Sequence, residues 1–239
     1  MGVQRGPNVI TDGLVACWDF SSKQCYPGSG STCYDIVGKN TGTLSTPTFV
    51  NDGGKSALRF VYTNTDMMTF QDTSQLSFGT GDFSIEAWIL CKQASVGSNP
   101  GSKYAAPIVL GDKNGMALFL PDDPSLYSTH WRGQIMVEGI TRCLTDNLLI
   151  NTWYHIACTR TGASGTNTGK YTYVNGGDPQ SRNGDGNWVS GSGIPDAQMG
   201  RGYTTYYFDG DIAIVRVYNR VLTPAEVKSS YDKTKGRFQ

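Results

Sequence analysis

The chain has no net charge: 20 Lys and Arg balance 20 Asp and Glu over 239 residues. It therefore lacks the positive field by which nucleic-acid and anionic-membrane binders are recognised. No stretch approaches the roughly 20 apolar residues of a membrane-spanning helix. The opening Met1-Gly2-Val3-Gln4-Arg5-Gly6-Pro7 has no apolar run, so no secretory leader is expected. Gly2 raises myristoylation, but Gly6 stands where that signal needs Ser or Thr. Asn-x-Ser/Thr does not occur, which removes one support for a glycosylated secretory life. Synthesis in a cytosol is expected, with later assembly into a particle left open.

Catalytic signatures are scarce as well. The chain has two histidines, His130 and His155. His155 falls inside a strand pattern and reads as structural, and His130 has no nucleophile motif beside it. Gly-x-Ser-x-Gly is absent. Gly54-Lys55-Ser56 resembles the end of a phosphate-binding loop, but Phe49 occupies the place of its first glycine. Gly28-Ser29-Gly30, Gly191-Ser192-Gly193 and Gly200-Arg201-Gly202 leave the dinucleotide fingerprint incomplete. Six cysteines (Cys17, Cys25, Cys33, Cys91, Cys143, Cys158) permit a disulfide framework. With no Cys-x-x-Cys, and a spacing that matches no zinc pattern, free buried thiols are the expectation.

Short apolar and aromatic runs punctuated by turn residues fill the rest. Thirty glycines and a charged fraction of 17% fit many strands joined by many turns. Strands are expected at 14–20, 57–62, 67–70, 83–90, 108–110, 116–120, 134–137, 153–160, 170–174 and 212–218. Phe83, Ile85, Ala87 and Ile89 share one face of their strand, while Glu86, Trp88 and Leu90 share the other, so both sides are at least partly covered. Asn114-Gly115 and Asn175-Gly176 are hairpin dipeptides. One short helix is specified at the end. Thr223 caps it, Pro224 opens it, Glu226 completes the capping box, and Leu222 and Val227 take the staple positions. The expected organisation is an N-terminal arm over 1–12, one domain over 13–232 and a tail over 233–239.

In order along the chain, several segments resemble the concanavalin A-like jelly roll of the laminin-G/pentraxin type. They are 13–20, then 34–38 with 42–44, then Phe83 to Trp88. Asn151-Thr152-Trp153-Tyr154-His155-Ile156-Ala157 follows, with Tyr171 to Gly176, and Phe208 through Glu226 closes the series. The resemblance implies an all-β fold, a two-sheet antiparallel sandwich with one C-terminal helix. More narrowly, Cys25-Tyr26-Pro27-Gly28-Ser29-Gly30 and the ending Lys235 to Phe238 are similar to virion-associated proteins of tailed marine phages. Cys33 departs from that pattern, where relatives carry an aromatic residue.

Three functions follow as expectations. The first is a non-catalytic virion structural protein, a capsid decoration or fibre-type subunit, made in the host cytoplasm and displayed on the particle. Its partners would be other virion proteins and copies of itself, with a trimer as one arrangement. The second is a carbohydrate-binding or receptor-binding module for surface glycans, with Trp131, Trp188, Tyr203, Tyr206 and Tyr207 as aromatic platforms. Aromatic residues of this kind serve protein interfaces equally well. Relatives of this fold often hold calcium at a loop rim. Asp112, Asn114, Asp196 and Asp209 are the candidate ligands, against the simpler reading that Asp and Asn shape turns. The third and remotest function is glycoside hydrolysis, which needs two carboxylates flanking one bond. Glu86 has Ser84, Trp88 and Leu90 at the positions a partner would need, and Asp209 and Asp211 are read as flanking a turn at Gly210. No nucleic acid, membrane insertion or obligatory cofactor is expected.

Overall fold

In a computed structural model of the protein, alternating sequence becomes two stacked antiparallel layers. The structure describes residues 10–38, 40–92, 104–110, 115–119, 129–137, 140–162, 168–181, 197–202 and 207–239. The strands run in order β1 (Leu14–Asp19), β2 (Thr32–Cys33), β3 (Gly42–Ser45), β4 (Thr48–Asp52), β5 (Lys55–Phe60) and β6 (Met67–Phe70). Next come β7 (Phe83–Cys91), β8 (Tyr104–Val109), β9 (Gly115–Phe119), β10 (His130–Val137), β11 (Ile140–Leu144) and β12 (Leu148–Leu149). The last are β13 (Trp153–Arg160), β14 (Lys170–Val174), β15 (Gln198–Met199) and β16 (Gly210–Tyr218), followed by helix α1 (Pro224–Thr234).

One sheet has the order β14-β13-β7-β16-β5-β4, with β1 also paired to β16. The other has the order β11-β10-β9-β8-β15-β6-β3-β2, with β12 on β10. The period of two along β7 puts Phe83, Ile85, Ala87, Ile89 and Cys91 into the space between the sheets. They meet Leu44, Met68, Ile108, Met116 and Met199 of the opposite layer. Trp18 of β1 stacks on Phe70 of β6, with ring centroids 4.7 Å apart, which joins the layers at one end. Asn175 and Gly176 both take positive φ, and Gly177 N–H donates to the Val174 carbonyl, so the expected tight turn closes β14.

The outer face of the first sheet is also covered. Thr223 accepts a hydrogen bond from the Glu226 amide, and the Glu226 carboxylate accepts from the Thr223 amide, so the capping box forms. Bidentate contact with Arg220 (3.0 and 2.7 Å) fixes that carboxylate and lowers its pKa to about 2. Leu222 and Val227 seat the helix on Tyr218, Ala157 and Tyr173. The segment 233–239, read as a tail, instead packs against the domain. A short 3₁₀ turn over Lys235–Arg237 carries Phe238 onto Trp88, with ring centroids 4.3 Å apart. Arg237 forms a bidentate pair with Asp19. One aromatic side chain suffices for this, which an average over a polar segment conceals. Ile10, in the expected arm, packs on the Leu222–Val227 cluster, and residues 1–9 lie outside the described residues.

Candidate functional site

Strand alternation decides which side chains the second sheet turns outward. Leu44, Met68, Met199 and Ile108 belong to the core, so their neighbours Thr43, Thr69, Gln198 and Val109 face the other way. Those four form one row across the sheet, since Thr43 pairs with Thr69, Thr69 with Gln198, and Gln198 with Val109. Thr43 and Thr69 are exposed, while Gln198 and Val109 are buried. Ser45 and Met67 make the adjacent cross-strand pair.

Arg201 lies over this face, and its backbone is held on several sides. Gly200 has φ of +83°, and a Cβ there would stand 2.3 Å from the Phe60 ring, so only glycine fits. Its amide donates to the Pro107 carbonyl (3.0 Å), and its carbonyl accepts from the Phe208 amide (2.8 Å). Arg201 pairs with Tyr207 as a single β-bridge, and Gln198 Nε2 donates to the Arg201 carbonyl at 2.8 Å. Among the described residues the guanidinium has weak partners only. Nη1 is 3.6 Å from the Met67 sulfur, and the guanidinium carbon is 5.9 Å from the Tyr207 ring centroid. Nε is sealed from solvent without a hydrogen-bond partner. A half-buried aromatic ring and a planar cation thus lie over the sheet face whose outward row carries two exposed threonines. An apolar ring face with a few fixed polar groups is what a small polar ligand needs.

Of the residues singled out from the sequence, Tyr207 lies in this patch. Trp131 does not: it is 1% exposed, deep in the core. Its ring meets Tyr154 edge-on at 6.0 Å, and Nε1 donates to the Leu149 carbonyl. The expectation that it is a platform fails because β10 begins before it, at His130, and turns its ring inward. Trp188, Tyr203 and Tyr206 lie outside the described residues, as do Asp112, Asn114 and Asp196. Asp209 is half-buried, and its carboxylate accepts from the Tyr62 amide. Burial, with Asp211 and Asp66 nearby, holds its pKa above the ordinary value. Among the described residues, no three His, Cys, Asp or Glu side chains converge on a point that would hold a metal. Gly210 opens β16 rather than forming a turn, and Asp211 is tied to Arg59 by two 2.8 Å contacts.

Glu86 is out of reach of any substrate. It points to the outer face of the first sheet, is 1% exposed, and lies beneath α1. Tyr218 donates to its Oε2 at 3.2 Å, Arg216 stands 3.7 Å from the same oxygen, and His155 Nε2 is 3.7 Å from Oε1. Burial outweighs the Arg216 charge and raises the Glu86 pKa to about 7. Burial, helped by Arg216, drops the His155 pKa to about 3, so this histidine is neutral. It serves the interior, as its place inside a strand pattern implied. His130 Nδ1 lies 2.8 Å from the Thr129 hydroxyl at the start of β10. Cys17, Cys25 and Cys33 are buried free thiols, Cys91 and Cys158 are buried, and the side chain of Cys143 lies outside the described residues.

Arg201, Met67, Thr43 and Thr69 were not singled out from the sequence. The signal available for Arg201 was its place between two glycines, shortly before Tyr203, Tyr206 and Tyr207.

A family model described as the concanavalin A-like lectin/glucanases superfamily matches residues 62–228. No curated protein sequence matches the chain. Among solved structures, a Trypanosoma rangeli sialidase in complex with 2,3-difluorosialic acid is similar, with TM-score 0.60 and 17% identity over 98% of this chain. The chain spans only 36% of that sialidase. The binding domain of Paraclostridial Mosquitocidal Protein 1 superposes with TM-score 0.58 and 16% identity, over 92% of this chain and 52% of that one. Domain 4 of AbnA, a GH43 extracellular arabinanase from Geobacillus stearothermophilus in complex with arabinotriose, gives TM-score 0.51 and 16% identity, over 91% of this chain and 98% of that one. At these identities the likeness is one of fold.

Proposed function

Since the chain belongs to the concanavalin A-like lectin/glucanases superfamily, we propose that it is a non-catalytic recognition module that holds a carbohydrate on the outer face of its second sheet. The observation that carries this reading is the patch itself, where Tyr207, the Arg201 guanidinium and the Thr43 and Thr69 hydroxyls stand together. A sugar presents an apolar C–H face to an aromatic ring and hydroxyls to planar polar groups. Of the strand-borne acids weighed for hydrolysis, Glu86 is sealed under α1 and Asp211 is tied to Arg59, which favours binding over chemistry. The similar arabinanase domain was solved in complex with arabinotriose, and the similar part of the mosquitocidal protein is its binding domain, which supports this reading. A glycan array tests the reading. Reproducible binding to at least one saccharide, weakened tenfold or more by Tyr207→Ala with the melting temperature unchanged, supports it. Binding unaffected by that substitution, or no binding to any glycan, overturns it. Repeating the array with a chelator tests calcium assistance, for which Asp209 is the one described candidate ligand.

A second reading places this module on a phage particle as a decoration or fibre-type subunit, made in the host cytoplasm and joined to other virion proteins or to copies of itself. The similarity of Cys25 to Gly30 and of Lys235 to Phe238 to virion-associated proteins supports it. Both readings hold together if a surface subunit also adheres to glycans. Mass spectrometry of purified particles tests the second: stoichiometric presence supports it, and absence from the particle overturns it.

A further inference from the structure

We infer that the saccharide held at this patch carries a carboxylate, and that Arg201 is the residue that selects it. The inference rests on the carbohydrate reading above and adds a ligand class to it. Its starting point is a cation without an anion. Among the described residues no carboxylate pairs with Arg201. Its Nη1 meets a thioether sulfur, its face meets the Tyr207 ring, and its Nε is sealed and without an acceptor. Thioether sulfur is a weak acceptor. A buried guanidinium N–H without an acceptor is costly, and such orphans in native structures call for an explanation.

Three other arginines around the sandwich show what a guanidinium paired with a carboxylate looks like here. Arg59 grips Asp211, Arg220 grips Glu226 and Arg237 grips Asp19, each through two contacts. Arg201 has the same fork and no such partner. Its backbone is fixed by the Gly200, Phe208 and Gln198 hydrogen bonds, so little ordering is left for a ligand to impose. A carboxylate that displaced the thioether contact would meet the fork in the bidentate geometry for which guanidinium is suited. One guanidinium balances one negative charge. The zero net charge of the chain supplies no wider positive field for a polyanion. Nearby, Tyr207 and the two threonines would hold the ring and hydroxyls of the sugar.

The test uses the full chain and matched oligosaccharides, each offered as the free acid and as its methyl ester. Trigalacturonate, a glucuronate-terminated disaccharide and a sialylated trisaccharide form the set, with affinities read by calorimetry at two salt concentrations. At least one acid should bind about tenfold to a hundredfold more tightly than its own ester, as expected of charge-assisted bonds, and added salt should shrink that gap. Arg201→Gln should bring the ratio of acid to ester affinity to about one, and Arg201→Lys should restore part of it. Equal binding of every acid and ester, or a preference that survives Arg201→Gln, overturns the inference but leaves carbohydrate binding standing. Failure of acids, esters and neutral sugars alike overturns both. An unchanged melting temperature in Arg201→Gln assigns any loss to the site.

Discussion

Phe238→Ala should cost the domain about 3 kcal/mol. The Phe238 ring is 4% exposed, although it is the second residue from the end of the chain. It stacks on Trp88 at 4.3 Å and tilts against Trp153 at 5.0 Å. Truncating a buried phenylalanine costs roughly 3–5 kcal/mol, and a site that follows a single 3₁₀ turn relaxes more readily than one inside a sheet, which selects the lower end. The neighbouring Arg237–Asp19 pair supplies the control. Its contacts are 2.8 and 2.9 Å long, but the two side chains are 31% and 20% exposed, so water screens them. Arg237→Ala should cost about 1 kcal/mol or less. In a domain of this size the two substitutions should lower the melting temperature by roughly 6–12 °C and 2–4 °C respectively. Urea denaturation with an unchanged slope measures both. If Arg237→Ala proves as costly as Phe238→Ala, or if Phe238→Ala costs under about 1 kcal/mol, apolar burial does not anchor the terminus.

The buried Glu86 and His155 make opposite demands as pH changes. With its pKa raised to about 7, folded Glu86 binds more proton than the unfolded chain between about 4.5 and 7, so it lowers stability as pH rises there; His155, lowered to about 3, raises stability with pH between about 3 and 6.5. The two oppose each other between about pH 4.5 and 6.5, so Glu86→Gln should make stability climb with pH more steeply than in the parent, by up to about 1.4 kcal/mol per unit; parallel curves from denaturant titrations would refute this. Burial also raises the thiol of Cys17 to about 11 and that of Cys33 to about 12, and it pushes Cys25 further up. These three should resist alkylation at pH 8 until the chain unfolds, as mass mapping of labelled peptides would show; rapid labelling of any of them in the native protein would refute their burial.

The long strands were legible because each carries its own instruction. The patterns at 153–160 and 170–174 coincide with β13 and β14. The run from Phe83 announces a strand covered on both sides, as β7 is. The helix was legible for the same reason, since Thr223, Pro224 and Glu226 are local signals. The two-residue strands β2, β12 and β15 had no such signal. They are strands because a longer neighbour offers hydrogen bonds, and for β15 those neighbours, β6 and β8, lie far away in sequence. The candidate site was hidden by the same physics. Arg201 meets Met67 across 134 positions, and Thr69 joins the row through pairing with Gln198. The tyrosines near 203–207 signalled an aromatic segment, while the face on which Arg201 lies depends on sheet order. Trp131 misled because a tryptophan near a turn looks the same in sequence whether its strand begins before it or after it.

Two sheets have four faces, and this sequence spends three of them on stability. Two make the shared core around Ile85, Ile89, Met68 and Met199. The third, behind β7 and β16, is closed by α1 and Phe238, which cover Trp88, Glu86 and Tyr218. The closure has a chemical consequence. An acid placed on that face loses contact with solvent and is held by Arg216 and Tyr218, so it cannot meet a ligand however well its pKa is tuned. The fourth face, with exposed Thr43 and Thr69 and the Arg201–Tyr207 pair, keeps polar groups at the surface. Those groups donate and accept hydrogen bonds. The helix therefore does more than stabilise the fold: by sealing one sheet it leaves the outer face of the other as the place for the recognition proposed above.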